Sequence, residues 1–144
     1  MAYLHAFSVH FPVVLITLTT ILFWLQLVQN GKWPHAMWYV ERLLLVSLLS
    51  HLLALATGTL QESNLEIEAA FRDELNLHET LAYASFWLNV GAIIWLKWRS
   101  KQGGFQKMEQ FAFGGLLAFC LLLLYLTAHQ GGLLVYEFGV GISQ

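Results

Sequence analysis

Residues 111–128 read FAFGGLLAFCLLLLYLTA, a run of 18 residues without a charged side chain. A helix needs roughly 20 mostly apolar residues to cross the hydrocarbon core of a membrane, because each residue rises about 1.5 Å. Within lipid, only a helix or a closed barrel satisfies every backbone N–H and C=O group. This stretch therefore predicts a transmembrane helix.

Three further stretches of the chain have the same apolar character. The four predicted helices cover Phe7–Leu27, Met37–Leu60, Leu77–Trp98 and Phe111–Ala128. Of the 144 residues, 58% are hydrophobic and 11% are charged, which is more apolar surface than a soluble domain of this size can bury. The sequence predicts an all-α fold: one integral membrane four-helix bundle, 1–144, in the lipid bilayer.

The distribution of Lys and Arg predicts the orientation of this bundle, because short loops rich in these residues stay in the cytoplasm. Lys32 and Arg42 flank the first connection, and the third is flanked by Lys97, Arg99, Lys101 and Lys107. The second connection has Arg72 among five acidic residues. We therefore expect both termini on the non-cytoplasmic side. The formal charge of -2 gives no indication of a nucleic-acid partner.

Two segments near the predicted outer surface differ from plain loops. In Glu62–Leu75, the apolar residues Leu65, Ala69 and Phe71 can share one face with acidic residues opposite, so we predict a short amphipathic helix. The glycine-rich tail 131–141 is too short for a fifth span, and we expect it to pack against the outer end of the bundle.

The six histidines are the residues most expected to carry chemistry, because ionisable side chains inside a membrane are costly and usually face the bundle interior. In the predicted topology each helix places one histidine in the outer half: His10, His51, His78 and His129. Small and polar residues at helical spacing accompany His51 and His78, which allows close packing or leaves room for a flat cofactor. His5 is expected at the interface, with the outer cluster as an alternative.

Haem suits this arrangement, because two neutral imidazoles on facing helices can ligate one iron. His10 and His78 are expected at similar depths, counted at about 1.5 Å per residue, so they form the first predicted axial pair. His51 and His129 form a second pair if the fourth helix continues past Ala128.

Two other interpretations of the same histidines remain open. A three-histidine cluster could bind copper or zinc, since neutral imidazole suits both metals. Alternatively, each histidine could be a hydrogen-bonding contact between helices in a non-catalytic subunit that anchors a larger membrane assembly. No residue pattern indicates a catalytic nucleophile or base, and whether the chain is an enzyme is left open.

Two motifs at the ends of the chain carry a family resemblance. Residues 5–12 read HAFSVHFP, and residues 131–141 read GGLLVYEFGVG. The chain resembles a family of bacterial predicted four-helix membrane proteins catalogued as a domain of unknown function. That family opens with a His-Pro…Val-His-Phe-Pro signature and closes with Gly-Gly…Leu-Val-Tyr…Gly-Val-Gly; here Ala6 replaces the first proline.

The resemblance extends over the whole chain and implies that His10, His78 and His129 belong to a shared site. Members of the family occur alone or alongside cytochrome-type domains, which favours a redox role by analogy. We therefore expect an electron-transfer subunit of the bacterial inner membrane that binds b-type haem near its outer face. It would exchange electrons with the quinone pool or a membrane redox complex and with an extracytoplasmic cytochrome.

Overall fold

The computed structural model describes residues 2–29, 32–33, 35–63 and 69–140. Its helices are α1 (Ala2–Ser8), α2 (His10–Val28), α3 (Ala36–Glu62), α4 (Arg72–Lys101) and α5 (Lys107–Tyr136). Each of the four long helices packs against the next along the chain, and α2 also packs against α5, so that the bundle closes. The predicted all-α four-helix bundle is confirmed.

Within the described residues, three helical stretches are long and apolar enough to cross a membrane, namely Leu4–Val28, Ala36–Glu62 and Lys107–Tyr136. These stretches support the predicted lipid environment. The remaining long helix, α4, has 30 residues but is more polar, and it buries Ser85, Asn89 and Arg99 inside the bundle. Its outward face still exposes Trp87 and Ile94.

The third and fourth long helices both extend beyond the bounds predicted from hydrophobicity. A turn of 3-10 helix, Ala69–Phe71, leads directly into α4, and α5 continues to Tyr136. Phe71 and Leu75 bury themselves against Leu134, and Phe138 and Val140 of the tail pack on the same cluster. Burial of this small cluster explains the added turns and returns the tail to the end of the bundle. Residues 64–68 of the predicted amphipathic segment lie outside the described residues.

The first long helix has one irregular residue, Val9, between α1 and α2, where the backbone stays helical and the N–H of Val9 still donates to the carbonyl of His5 at 3.1 Å. Pro12 has no N–H to donate to the carbonyl of Ser8, so one bond of the regular hydrogen-bond ladder is missing there. α1 packs against α3, where the hydroxyls of Ser8 and Thr57 are 2.9 Å apart. This contact fixes the position of His5.

The hydrophobic core fills the half of the bundle that holds the turn between α4 and α5. Phe113 is fully buried at its centre, with its ring centroid 5.1 Å from that of Phe23 and 5.6 Å from that of Trp95. The adjoining turn contains Gly104, whose carbonyl accepts a hydrogen bond from Arg99 at 2.8 Å; the same guanidinium pairs with Glu109. The opposite half of the bundle is less densely filled and contains the candidate site.

Two adjacent glycines of α5 allow a matched test of core packing. A Cβ atom on Gly114 would lie 2.8 Å from Cζ2 of Trp24, whereas one on Gly115 would meet nothing within 4 Å. Because overpacking a filled core typically costs about 1–3 kcal/mol, we expect Gly114→Ala to destabilise the bundle. Gly115→Ala should be neutral or slightly stabilising, since alanine is the better helix former. Unfolding of both variants in detergent measures the difference, and equal stabilities would contradict this packing.

Candidate functional site

A cavity of about 630 Å³ lies between the helices in the half of the bundle that holds α1 and the end of α5. Its volume is within the range of roughly 300–1,000 Å³ that is typical of small-molecule and cofactor sites. All of the helices α1 to α5 contribute to its wall, which is mainly apolar. Four histidines line it: His5, His10, His51 and His78.

The imidazole of His5 joins α1 to α3 in this cavity. Its Nδ1 lies 3.1 Å from the carbonyl oxygen of Ala54 and 3.3 Å from the hydroxyl of Thr57. Because a carbonyl oxygen can only accept, Nδ1 carries the proton and Nε2 keeps its lone pair. Gly58 makes this approach possible, since a Cβ atom there would lie 3.1 Å from Cε1 of the ring.

The imidazole of His78 joins α4 to α5 in the same way. Its Nδ1 donates to the carbonyl oxygen of Thr127 at 2.9 Å, and a Cβ atom on Gly131 would lie 3.1 Å from its Cε1. Both histidines therefore bind a carbonyl at position i of a neighbouring helix and pack on a glycine at i+4. A helical carbonyl points towards residue i+4, so glycine at that position clears the path for the ring.

The two rings are neighbours in the cavity. Their centroids are 6.4 Å apart, and their planes are inclined by 84°, which is an edge-on arrangement. Each ring also has its Nδ1 proton committed to a backbone carbonyl, which leaves Nε2 as the nitrogen able to bind a metal.

His51 lies deeper in the cavity than this pair and is only 3% exposed. Its Nδ1 donates to the carbonyl oxygen of Ser47 at 2.9 Å, and Nδ2 of Asn89 donates to the hydroxyl oxygen of Ser47 at 3.2 Å. The Nε2 atom is buried and finds no hydrogen-bond partner among the described residues. His51 is therefore an oriented imidazole with an unused lone pair.

The other two predicted site histidines are placed differently. His10 lines the cavity but its side chain is exposed. The ring beside His78 is that of His5, whereas His10 was predicted there from the sequence. His129 is exposed on α5 and does not line the cavity, because Thr127 and Gly131 occupy the inward face of that turn. The helix does continue past Ala128, as a pair of His51 with His129 requires. His129, however, lies on the exposed face of α5 and His51 lies in the cavity, so the two do not meet.

The described residues include no group of three or more His, Cys, Asp or Glu side chains arranged to hold a metal ion. The three-histidine cluster considered for copper or zinc is therefore not formed within this part of the chain. Haem makes a smaller demand on the protein, since two axial imidazoles and an apolar pocket suffice. His5 and His78 bring two imidazoles together in a mainly apolar cavity, each with its Nδ1 on a backbone carbonyl.

Comparison with known proteins agrees with the motifs at the two ends of the chain. The family described as "Predicted membrane protein (DUF2231)" matches residues 2–144. Neither the comparison with curated proteins nor the comparison with solved structures gives a match. Because the family match covers nearly the whole sequence, the chain belongs to the DUF2231 family of predicted membrane proteins.

Proposed function

We propose that this chain is an electron-transfer subunit of the bacterial inner membrane that binds b-type haem in the histidine-lined cavity. His5 and His78 would hold the haem iron. The observation that carries the proposal is the repeated construction around these two rings, in which a backbone carbonyl binds Nδ1 and leaves Nε2 free. Metal-binding histidines usually donate their other N–H to such a partner, which fixes the tautomer and the ring orientation.

The protein would position the haem, exclude water from it and surround it with a medium of low dielectric constant, while bound haem would supply the one-electron chemistry. Gly58 on α3 and Gly131 on α5 allow the imidazoles of His5 and His78 to lie close to these helices, so the rings would lose little freedom on binding a metal. Pro12, Val13 and Leu124 line the apolar wall. Such a wall tunes the potential of the iron, because it disfavours the more highly charged state.

We further propose that all four long helices span the membrane and that both termini lie outside the cytoplasm. The exposed apolar face of α4 supports a fourth span, and the basic residues at the turn between α4 and α5 support the orientation. The cavity then opens at the outer surface, where Glu62 and Glu79 line it. Negative charge at this surface would attract a basic domain of an extracytoplasmic cytochrome.

A structural anchor is the second candidate function, and one observation favours it. His5 connects α1 to α3 and His78 connects α4 to α5, so each imidazole already stabilises the bundle without a cofactor. Copper or zinc held by this pair alone is a third outcome that metal analysis would detect.

The first test is a reduced-minus-oxidised optical spectrum of the purified protein, with metal analysis of the same sample. We expect the sharp absorbance bands of a b-type cytochrome and close to one iron per chain, because one imidazole pair binds one haem. Copper or zinc in the sample, without haem bands in the spectrum, would identify a metal ion as the cofactor in place of haem. A flat spectrum without any of these metals would leave the structural anchor.

A further inference from the structure

We infer that the floor of the cavity is a binding site for the hydroxyl group of a membrane quinol, with Nε2 of His51 as the hydrogen-bond acceptor. The inference adds to the proposed function the class of substrate and its redox form. The role of the quinol in electron transfer rests on that proposed function. The binding site itself depends only on the geometry around His51.

The lone pair of His51 is fixed in place. Nδ1 lies 2.9 Å from the carbonyl oxygen of Ser47 and must donate to it, because two acceptors at this distance would repel each other. Nδ1 also lies 3.4 Å from the hydroxyl of Ser47 and 3.4 Å from Nδ2 of Asn89, and both of these residues are fully buried, so the ring cannot turn without losing these contacts. Nε2 is a buried acceptor without a partner among the described residues, which is unfavourable unless a donor arrives.

This acceptor is separated in depth from the proposed iron site. Along α3, residue 51 precedes Gly58 by about two helical turns, or roughly 10 Å. Ser85 on α4 and Leu124 on α5 line the cavity at the same greater depth. An iron held by His5 and His78 would use both of their Nε2 atoms, so His10 and His51 remain, and of these two His51 is the buried one.

The buried polar group of the floor is an acceptor. Nε2 of His51 has an unpaired lone pair, and the hydroxyl of Ser85 already donates to the carbonyl oxygen of Ala82 at 2.8 Å. The rest of the wall combines apolar residues such as Val13 and Leu55 with the rings of Tyr83 and Tyr125, which are partly exposed on the outside of the bundle. A ligand matched to His51 is flat, mostly apolar and carries an O–H group. A quinol has two such groups, whereas the corresponding quinone has only carbonyl acceptors, so His51 favours the reduced form.

Binding can be tested with the full chain in lipid nanodiscs and a decyl-substituted benzoquinol. The quinol is presented in dithionite buffer, its quinone in air-oxidised buffer, and the quinol dimethyl ether in both, to correct for partition into lipid. Ligand retained by the nanodiscs is quantified by chromatography. We expect the protein to retain the quinol about tenfold more tightly than the ether or the quinone, because only the quinol satisfies His51.

A matched pair of variants assigns this preference to His51. His51→Phe keeps a ring of similar size without the acceptor and should abolish the preference, while the exposed His129→Phe should retain it. Equal retention of quinol and ether by the unmodified protein, or a preference that survives in His51→Phe, would overturn the inference. The haem spectrum is read on the same samples: haem without quinol preference defeats only this inference, and quinol preference without haem defeats only the proposed function.

Discussion

Alanine in place of His5 or His78 should remove the haem spectrum from the purified protein, whereas His10→Ala and His129→Ala should leave it unchanged. Each of the first two substitutions removes one of the two imidazoles that would hold the iron. Altering only a partner of a metal ligand typically costs about 10–100-fold in metal affinity, so loss of the ligand itself should cost more. Haem and iron per chain, measured after purification from the same membranes, give the result.

The four variants also distinguish two ligand pairs: His5 with His78, which the structure favours, and His10 with His78, which was predicted from the sequence. The carbonyls of Ala54 and Thr127 keep their helical partners when an imidazole is removed, so His5→Ala and His78→Ala should still insert and fold. Circular dichroism and gel filtration check this point. Haem retained in His5→Ala but lost in His10→Ala would restore the pair of His10 with His78. Haem retained in all four would refute ligation by any of these residues.

The fold could be predicted from the sequence because apolar runs of membrane-spanning length are a strong local signal. The ends of the helices are harder to predict from the sequence. The start of α4 contains Asp73, Glu74 and His78, and these polar residues resemble a loop when hydrophobicity alone is considered. They are helical because acidic side chains are favourable in a first turn and because Leu75 packs against Leu134, a contact between residues far apart in the chain.

The site could be predicted only in part, because hydrophobicity alone does not show which face of the first helix turns towards α3. His5 and His10 are five residues apart, or about 140° around a helix axis, so they lie on different faces, and the contacts of α1 with α3 turn His5 inward. The useful signal in the sequence was the spacing of Ala54 with Gly58 and of Thr127 with Gly131. That spacing allows a ring from another helix to approach a carbonyl, but it does not say which histidine will do so.

The same spacing leads to the second large effect, which is expected from Gly131→Val. A Cβ atom at this position would already lie 3.1 Å from Cε1 of His78, and the two methyl groups of valine extend further towards the ring. The imidazole must therefore leave the carbonyl of Thr127, and its Nε2 loses the orientation that ligation needs. We expect haem affinity to fall about 10–100-fold, as for loss of an outer partner of a metal ligand.

Gly115→Val is the matched control, because it places the same residue on the same helix where a Cβ atom meets nothing within 4 Å. It carries the same cost in helix propensity and should keep its haem. Gly58→Val should reproduce the effect of Gly131→Val through His5, since both rings are held by the same construction. If both valines lower bundle stability but leave haem binding untouched, the two histidines are helix contacts only. If both reduce haem binding while Gly115→Val does not, the paired carbonyl and glycine positions are what orient the ligands.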